Sequence, residues 1–87
     1  MLSREIKVQN EIGLHARPAT LFVQKANSFA STIWVEVESR RINGKSLLGL
    51  LSMGLVKDVT FTLIVDGTDE EEAIEALVNL VMYELGQ

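Results

Sequence analysis

The stretch Val59-Thr60-Phe61-Thr62-Leu63-Ile64-Val65 has the most apolar alternating pattern in this chain of 87 residues. One side carries Val59, Phe61, Leu63 and Val65, and the other side carries Thr60, Thr62 and Ile64. β-branched and aromatic residues that alternate in this way predict a strand, and such an apolar strand suits the interior of a sheet. We therefore expect the fold to be built around residues 59–65.

Two further segments alternate between apolar and polar residues, which predicts strands with one wet face. They are residues 4–9 and residues 32–38, and their inward side chains are Ile6, Val8, Ile33, Val35 and Val37. Ser39 and Arg40 stand where a tight turn is needed, so we expect residues 41–43 to return as a short strand.

Three segments predict helices. The first begins at or just after His15 and runs to about Asn27, with Pro18 in the first turn, where its missing N–H costs nothing; its apolar stripe is Ala19, Phe22, Val23 and Ala26. Residues 47–53 follow Ser46, a good N-cap, and stop at Gly54. This short helix has more apolar surface than one face can bury, so part of the set Leu47, Leu48 and Leu51 should stay exposed.

The third helix should run from a capping box to about Glu84. The box is either Thr68 with Glu71 or Asp69 with Glu72, and the inward residues include Ala73, Leu77, Leu80 and Val81. The element order is then β-α-β-β-α-β-α. Helices with one apolar stripe and half-wet strands predict a two-layer α/β sandwich, formed as a single domain by residues 1–87.

Composition excludes several function classes. The chain has no cysteine and one histidine, so we predict no metal site and no cofactor. Residues 1–7 lack the apolar core of a secretory signal, and no apolar run is long enough to cross a bilayer. These features predict a cytoplasmic protein without membrane insertion.

The net charge of −4 is unevenly spread. From Asp66 onward there are seven acidic residues and no Lys or Arg, whereas the first 65 residues hold eight basic and five acidic residues. Arg17, Lys25 and Lys45 are placed to face an acidic partner. Nucleic acid is a poor fit because no basic cluster is interleaved with aromatic residues.

The chemistry-bearing stretch is Gly13-Leu14-His15-Ala16-Arg17-Pro18-Ala19-Thr20, which holds the only histidine and the only proline. His15 should lie at the helix start, where unpaired backbone N–H groups attract anions and phosphate in particular. Arg17 adds a fixed charge and forked donors. Both features disfavour the imidazolium, so we predict a lowered pKa for His15, and a neutral imidazole is the form that accepts a phosphoryl group.

Two stretches together resemble a known family. Residues 13–19, Gly-Leu-His-Ala-Arg-Pro-Ala, resemble the active-site signature of HPr, the phosphocarrier of the bacterial sugar phosphotransferase system, and residues 43–54, Asn-Gly-Lys-Ser-Leu-Leu-Gly-Leu-Leu-Ser-Met-Gly, resemble its regulatory serine signature. The similarity covers essentially the whole chain. It implies an open-faced sandwich with a four-stranded antiparallel sheet, strand order 1-4-2-3, and three helices on one face.

The resemblance also implies a function: a monomeric phosphoryl carrier with a phosphohistidine intermediate, rather than a stand-alone enzyme. His15 would take the group from enzyme I and pass it to IIA domains of sugar permeases, while Arg17 and the backbone N–H groups of Ala16 and Arg17 hold the phosphate. Ser46 would be phosphorylated by an HPr kinase/phosphorylase, and that form would bind the catabolite control repressor. The docking residues implied are Thr20, Gln24, Lys45, Leu47, Leu48 and Leu51.

Two alternatives stay open. The chain is either a carrier or a signalling module that acts mainly as a corepressor phosphorylated on Ser46. The family's catabolite-repression homologue keeps the serine but lacks the histidine, so His15 favours the carrier. A carrier for a nitrogen-type branch is a third reading, against which the Ser46 signature argues. Leu48, Leu51, Gly44 and Asp58 depart from the usual residues at their positions, which bears on partner preference rather than on the reaction.

Overall fold

The computed structural model describes residues 1–9 and 16–85. The elements follow in the predicted order and are β1 (Leu2–Lys7), α1 (Ala16–Asn27), β2 (Thr32–Val37), β3 (Arg40–Asn43), α2 (Leu47–Leu51), β4 (Thr60–Asp66) and α3 (Glu70–Asn79), which continues as a π-helical segment (Leu80–Glu84). The described chain forms the predicted two-layer α/β sandwich.

The four strands form one antiparallel sheet in the order β1-β4-β2-β3. β4 lies between β1 and β2, as its apolar sequence predicts. In the register, Ile6 stands opposite Phe61 and Val35 stands opposite Leu63. One face of the sheet therefore carries a continuous apolar layer, and the three helices cover that face.

The core joins this layer to the apolar stripes of the helices. Its buried members are Ile6, Val8, Ala19, Phe22, Ala26, Ile33, Val35, Leu50, Leu55, Phe61, Leu63, Val65, Ala73, Ile74, Leu77, Leu80 and Val81. Every inward residue predicted for α1 and for the C-terminal helix is buried except Val23, which is half-buried. Trp34 lies half-buried on the opposite, open face of the sheet.

The strand boundaries differ from the prediction, by one residue at the end of β2 and by more in β1. β1 spans Leu2–Lys7 rather than 4–9, and β4 spans Thr60–Asp66 rather than 59–65. The regular ladder ends at the pair Lys7 and Thr60 because Asp58 has a left-handed φ of 75° and turns the chain away. Val8 still bonds locally, since its N–H donates to the Val59 carbonyl at 2.9 Å.

The β2–β3 turn lies one residue earlier than predicted. Val37 pairs with Arg40, so the two turn residues are Glu38 and Ser39, and β3 already begins at Arg40. Two-residue hairpins favour positive φ, and Glu38 adopts a φ of 55°. The turn thus forms without the Asn-Gly signal that would have fixed its position in the sequence.

The helix ends also need correction. α2 stops at Leu51 rather than at Met53, and Ser52 is its C-cap. Neither predicted capping box of α3 forms, because the N-cap is Asp69 rather than Thr68 and the Asp69 side chain makes no hydrogen bond to its own helix. Instead the Glu70 carboxylate accepts the Gly67 N–H at 3.1 Å. The C-terminal helix does reach Glu84, with its last turn in π form.

Candidate phosphoryl-carrier site

The site predicted from the sequence lies at the start of α1, but its central residue, His15, lies outside the described residues. α1 begins at Ala16, so the two backbone N–H groups expected to hold phosphate, those of Ala16 and Arg17, belong to its first turn. That turn contains no acidic residue, and the Arg17 side chain is exposed. A helix start and a guanidinium both favour an anion at this position. The lowered pKa of His15 stays a prediction.

The outer face of α1 carries four residues at helical spacing: Arg17, Thr20, Leu21 and Gln24. Thr20 is half-buried and the other three are exposed. Leu21 was missed by the sequence reasoning, although its position contains the signal. The helical phase that buries Phe22 turns the preceding residue outward, so Leu21 adds apolar surface beside the predicted docking positions Thr20 and Gln24.

Three of the four leucines of α2 are exposed to solvent. Leu47, Leu48 and Leu51 are 37%, 82% and 41% exposed, and we call these three side chains the leucine patch. Leu50 is the only fully buried residue of this helix. The prediction that part of this set stays exposed is confirmed for all three members. Because α1 and α2 are in contact, the helix that carries the leucine patch adjoins the helix that starts the candidate site.

Ser46 is the N-cap of α2, as predicted. Its backbone is extended, and its hydroxyl oxygen accepts the Gly49 N–H at 3.1 Å. Gly54 ends the following turn with a φ of 63°, a conformation that favours glycine. The Ser46 side chain is half-buried, and its capping bond gives the unmodified hydroxyl a structural role.

Lys45 has a structural partner that the sequence did not indicate. Its ammonium donates to the Phe29 carbonyl at 2.7 Å, just beyond the end of α1. In return, the Asn27 amide donates to the Lys45 carbonyl at 3.2 Å. These bonds join the end of α1 to the segment that carries Ser46. In this structure the Lys45 charge therefore supports the Phe29 carbonyl rather than facing outward.

The pKa shifts in the described chain fall at the start of α3 and at the Met1 amino group beside it, whose pKa is raised chiefly by its hydrogen bond to Glu70. Hydrogen bonds from the Ser31 hydroxyl and then from the Ala30 N–H lower the pKa of the Asp69 carboxyl. The Gly67 N–H, followed by the Met1 amino group, lowers the pKa of Glu70. Within residues 1–9 and 16–85, no three potential metal ligands gather and no helix has the length and hydropathy to span a membrane.

Comparisons with known proteins agree with this geometry. Residues 2–82 match the family model described as "PTS HPr component phosphorylation site". The HPr-like protein Crh of Halalkalibacterium halodurans is 44% identical over 84 residues, which cover 97% of this chain and all of that protein. The phosphocarrier protein HPr of Neisseria meningitidis is 40% identical over 87 residues, covering all of this chain and 98% of that protein.

Solved structures resemble the whole fold. HPr-C-His from Thermoanaerobacter tengcongensis has a TM-score of 0.96 at 46% identity, covering all of this chain and 98% of that one. Crh of Bacillus subtilis, described as a swapped, intertwined dimer, has a TM-score of 0.77 at 41% identity, with both chains fully covered. Because the family model matches residues 2–82 and two relatives match over nearly their full length, the chain belongs to the HPr family of phosphocarrier proteins of the phosphotransferase system.

Proposed function

We propose that the chain carries a phosphoryl group on His15, taking it from phosphorylated enzyme I and passing it to a histidine of IIA sugar-permease domains. In each transfer an N–P bond to the Nδ1 atom of His15 forms or breaks as the corresponding bond on the partner breaks or forms. One phosphoryl group changes hands, and no metal or cofactor takes part. Such a carrier works in the cytoplasm, where enzyme I meets the inner domains of permeases.

The observation that carries this proposal is the start of α1. The helix begins directly after His15 with two backbone N–H groups, no acidic residue and an exposed Arg17. Phosphoryl transfer mainly needs positioning and charge stabilisation, and these groups supply both. The exposure of Arg17 suits a carrier, which must lose the phosphoryl group as readily as it gains it.

Partner proteins would dock on the outer face of α1 and on the leucine patch. Thr20, Leu21 and Gln24 belong to the first surface and Leu47, Leu48 and Leu51 to the second. Exposed apolar side chains rimmed by polar residues are typical of docking sites. Arg17 adds a positive charge at the edge, which suits acidic partner surfaces.

Ser46 is the proposed regulatory phosphorylation site, used by an HPr kinase/phosphorylase. A phosphate there would gain from the N–H groups at the start of α2, beginning with that of Gly49. Lys45 would join it only by leaving the Phe29 carbonyl. The added dianion would stand beside the leucine patch, where it repels acidic partners and attracts a basic one such as the catabolite control repressor.

The decisive experiment is mass spectrometry of the chain after incubation with phosphoenolpyruvate and enzyme I. We expect one acid-labile phosphate on His15, its loss in His15→Ala, and its retention in Ser46→Ala. Addition of a IIA domain should remove the phosphate. A wild-type chain that gains no acid-labile phosphate would rule out the carrier function.

A signalling module that acts mainly through phosphorylated Ser46 is the second candidate, favoured by the 44% identity to a Crh protein. Incubation with ATP and an HPr kinase would place an acid-stable phosphate on Ser46 in either case. The two functions separate when His15 is assayed, because only the carrier takes phosphate there. We propose a monomer for the carrier, and the dimeric Bacillus subtilis Crh makes the mass in solution part of the same test.

A further inference from the structure

α2 is too short to hold itself in place. It has five residues, and a single side chain, that of Leu50, is fully buried. Isolated helices of this length do not form in water, because nucleation costs more than a few hydrogen bonds return. The leucine patch also opposes the folded helix, because its exposed apolar side chains would be stabilised if the helix opened and they became buried elsewhere. Other elements must therefore hold the helix.

Arg40, at the start of β3, holds the far end. Its Nη1 atom donates to the Ser52 carbonyl at 2.9 Å, and its Nη2 atom donates to the Ser52 hydroxyl at 2.8 Å. Ser52 is the C-cap of α2, where its N–H donates to the Leu48 carbonyl at 3.1 Å and its hydroxyl donates to the Gly49 carbonyl at 2.6 Å. Both terminal nitrogens of the guanidinium thus bond to the residue that caps the last turn of α2. A cation at a helix C-terminus also interacts favourably with the helix dipole.

The neighbouring residue shows that this clamp is specific. Arg41 lies on the opposite face of the same strand and bonds to the Glu36 carboxylate at 3.1 Å on β2. The two arginines have the same charge and are both exposed. Only Arg40 reaches α2, so the pair provides its own control.

We propose that Arg40 is a positioning residue for partner docking: its bidentate clamp on Ser52 keeps α2 closed and the leucine patch on the surface. This inference rests on the proposed function, in which partners dock on that patch. A partner that binds only the closed helix has an apparent affinity reduced by the fraction of open helix. Arg40 belongs neither to the start of α1 nor to the proposed docking residues, so it should affect docking through α2 and leave the chemical step unchanged.

The test compares Arg40→Met, Arg40→Lys and Arg41→Met. The first readout is amide hydrogen exchange at the Ser52 and Leu50 N–H groups. These groups donate to the Leu48 and Ser46 carbonyls while α2 is folded. Loss of two charged hydrogen bonds at an exposed site should speed exchange at these amides about tenfold in Arg40→Met. Arg40→Lys keeps the charge without the fork and should fall between Arg40→Met and wild type. Arg41→Met should match wild type in α2.

The second readout is phosphoryl transfer from enzyme I at varied concentrations of each variant. We expect the KM of Arg40→Met to rise about twofold with kcat unchanged, since a roughly tenfold rise in the opening of a helix that is open about a tenth of the time lowers its closed fraction about twofold. Arg40→Lys should recover part of the rise, and Arg41→Met should show none. Equal KM values for Arg40→Met and Arg41→Met, or faster exchange in α2 with an unchanged KM, would overturn the proposal.

The two levels of inference fail in different ways. A wild-type chain that accepts no phosphoryl group would overturn the proposed function and with it the docking role of Arg40. Exchange rates at Ser52 and Leu50 would still decide whether the clamp holds α2, because that measurement needs no partner. Urea denaturation of each variant separates a local opening of α2, which leaves the midpoint nearly unchanged, from loss of the whole fold.

Discussion

Ser46 and Asp69 each lie one residue before a helix, but their side chains make different hydrogen bonds. The Ser46 hydroxyl accepts the Gly49 N–H of its own helix at 3.1 Å. The Asp69 carboxylate makes no bond to its own helix. It accepts the Ala30 N–H at 2.8 Å, the Ser31 N–H at 2.9 Å and the Ser31 hydroxyl at 2.5 Å, all from the connection between α1 and β2.

The difference lies in what each helix start faces. α3 begins against the chain that leaves α1, and the approach is so close that a Cβ on Gly67 would lie 2.6 Å from the Ser31 Cα atom. A carboxylate there can satisfy the N–H groups of another segment, and Glu70 takes over the helix start by accepting the Gly67 N–H. α2 begins at the surface beside the proposed docking site. Asp69 therefore joins two segments of the fold, while the Ser46 side chain bonds to its own helix.

The largest expected effect is that of Asp69→Ala. The substitution removes the carboxylate that accepts three hydrogen bonds and leaves their donors unpaired. Two of these donors, the Ser31 N–H and hydroxyl, are partly buried. Unpaired donors at such a site destabilise the folded state, so we expect the urea midpoint to fall by about 1 M. Glu72→Ala, which removes the exposed partner of the rejected capping box, is the matched control. If both variants lost equal stability, a capping box would operate in solution and the contrast with Ser46 would disappear.

The same contacts should make stability depend on pH. The Ser31 hydroxyl and then the Ala30 N–H hold the pKa of Asp69 below the value of 3.8 that it has when unperturbed. The folded state thus binds this proton more weakly than the unfolded state. The contribution is complete above about pH 5 and is lost as the pH falls through 4 towards the lower pKa of the folded state. It cannot grow at higher pH, because the carboxyl is ionised in both states there.

Urea midpoints between pH 6 and pH 2.5 would measure this loss in wild type and in Asp69→Asn. The difference in urea midpoint between wild type and Asp69→Asn should narrow as the pH falls below 4. Glu70 also has a lowered pKa, chiefly through the Gly67 N–H, but it titrates in both proteins and cancels in the comparison. A gap that stays constant with pH would mean that the Asp69 charge contributes nothing to stability.

These two residues also show how far the sequence can predict this fold. The order of the elements, the buried face of each helix and the Ser46 cap follow from patterns within a few residues, whereas the strand order is implied by the family resemblance; all are confirmed. Asp69 looks equally like a cap, yet its partners are 38 and 39 residues away. Nothing local records that contact, which arises only when the sheet brings the end of α1 beside the start of α3.

The candidate site divides in the same way. The leucine patch follows from local helical geometry, because a five-residue helix cannot bury four leucines and only Leu50 reaches the core. Leu21 could have been predicted from the phase of α1. The bonds of Lys45 to Phe29 and of Arg40 to Ser52 could not, because each joins elements that are distant in sequence. The position of His15 in the fold stays a prediction from its motif.

Ser46→Ala should have a smaller effect than Asp69→Ala. It removes a local cap, for which the usual cost is about 1 kcal/mol of unfolding free energy. Because α2 is short and opens by itself, most of that loss should appear as faster amide exchange at Gly49 and Leu50 rather than as a lower urea midpoint. A midpoint loss equal to that of Asp69→Ala would contradict the view that Ser46 serves only its own helix.

The smallest effect on stability should come from Ser46→Asp, and its comparison with the reverse exchange, Asp69→Ser, gives the sharpest contrast. Ser46→Asp keeps an oxygen acceptor at the cap and adds negative charge at a helix start, so the unfolding free energy should stay within about 0.5 kcal/mol of wild type. Asp69→Ser keeps a side chain that can cap α3 but lacks the second oxygen that reaches Ala30 and Ser31, so it should resemble Asp69→Ala in urea. If position before a helix decided the role, both exchanges would be neutral. If the contacts decide it, only the change at Ser46 is tolerated, and its added charge should appear instead as a raised KM for enzyme I.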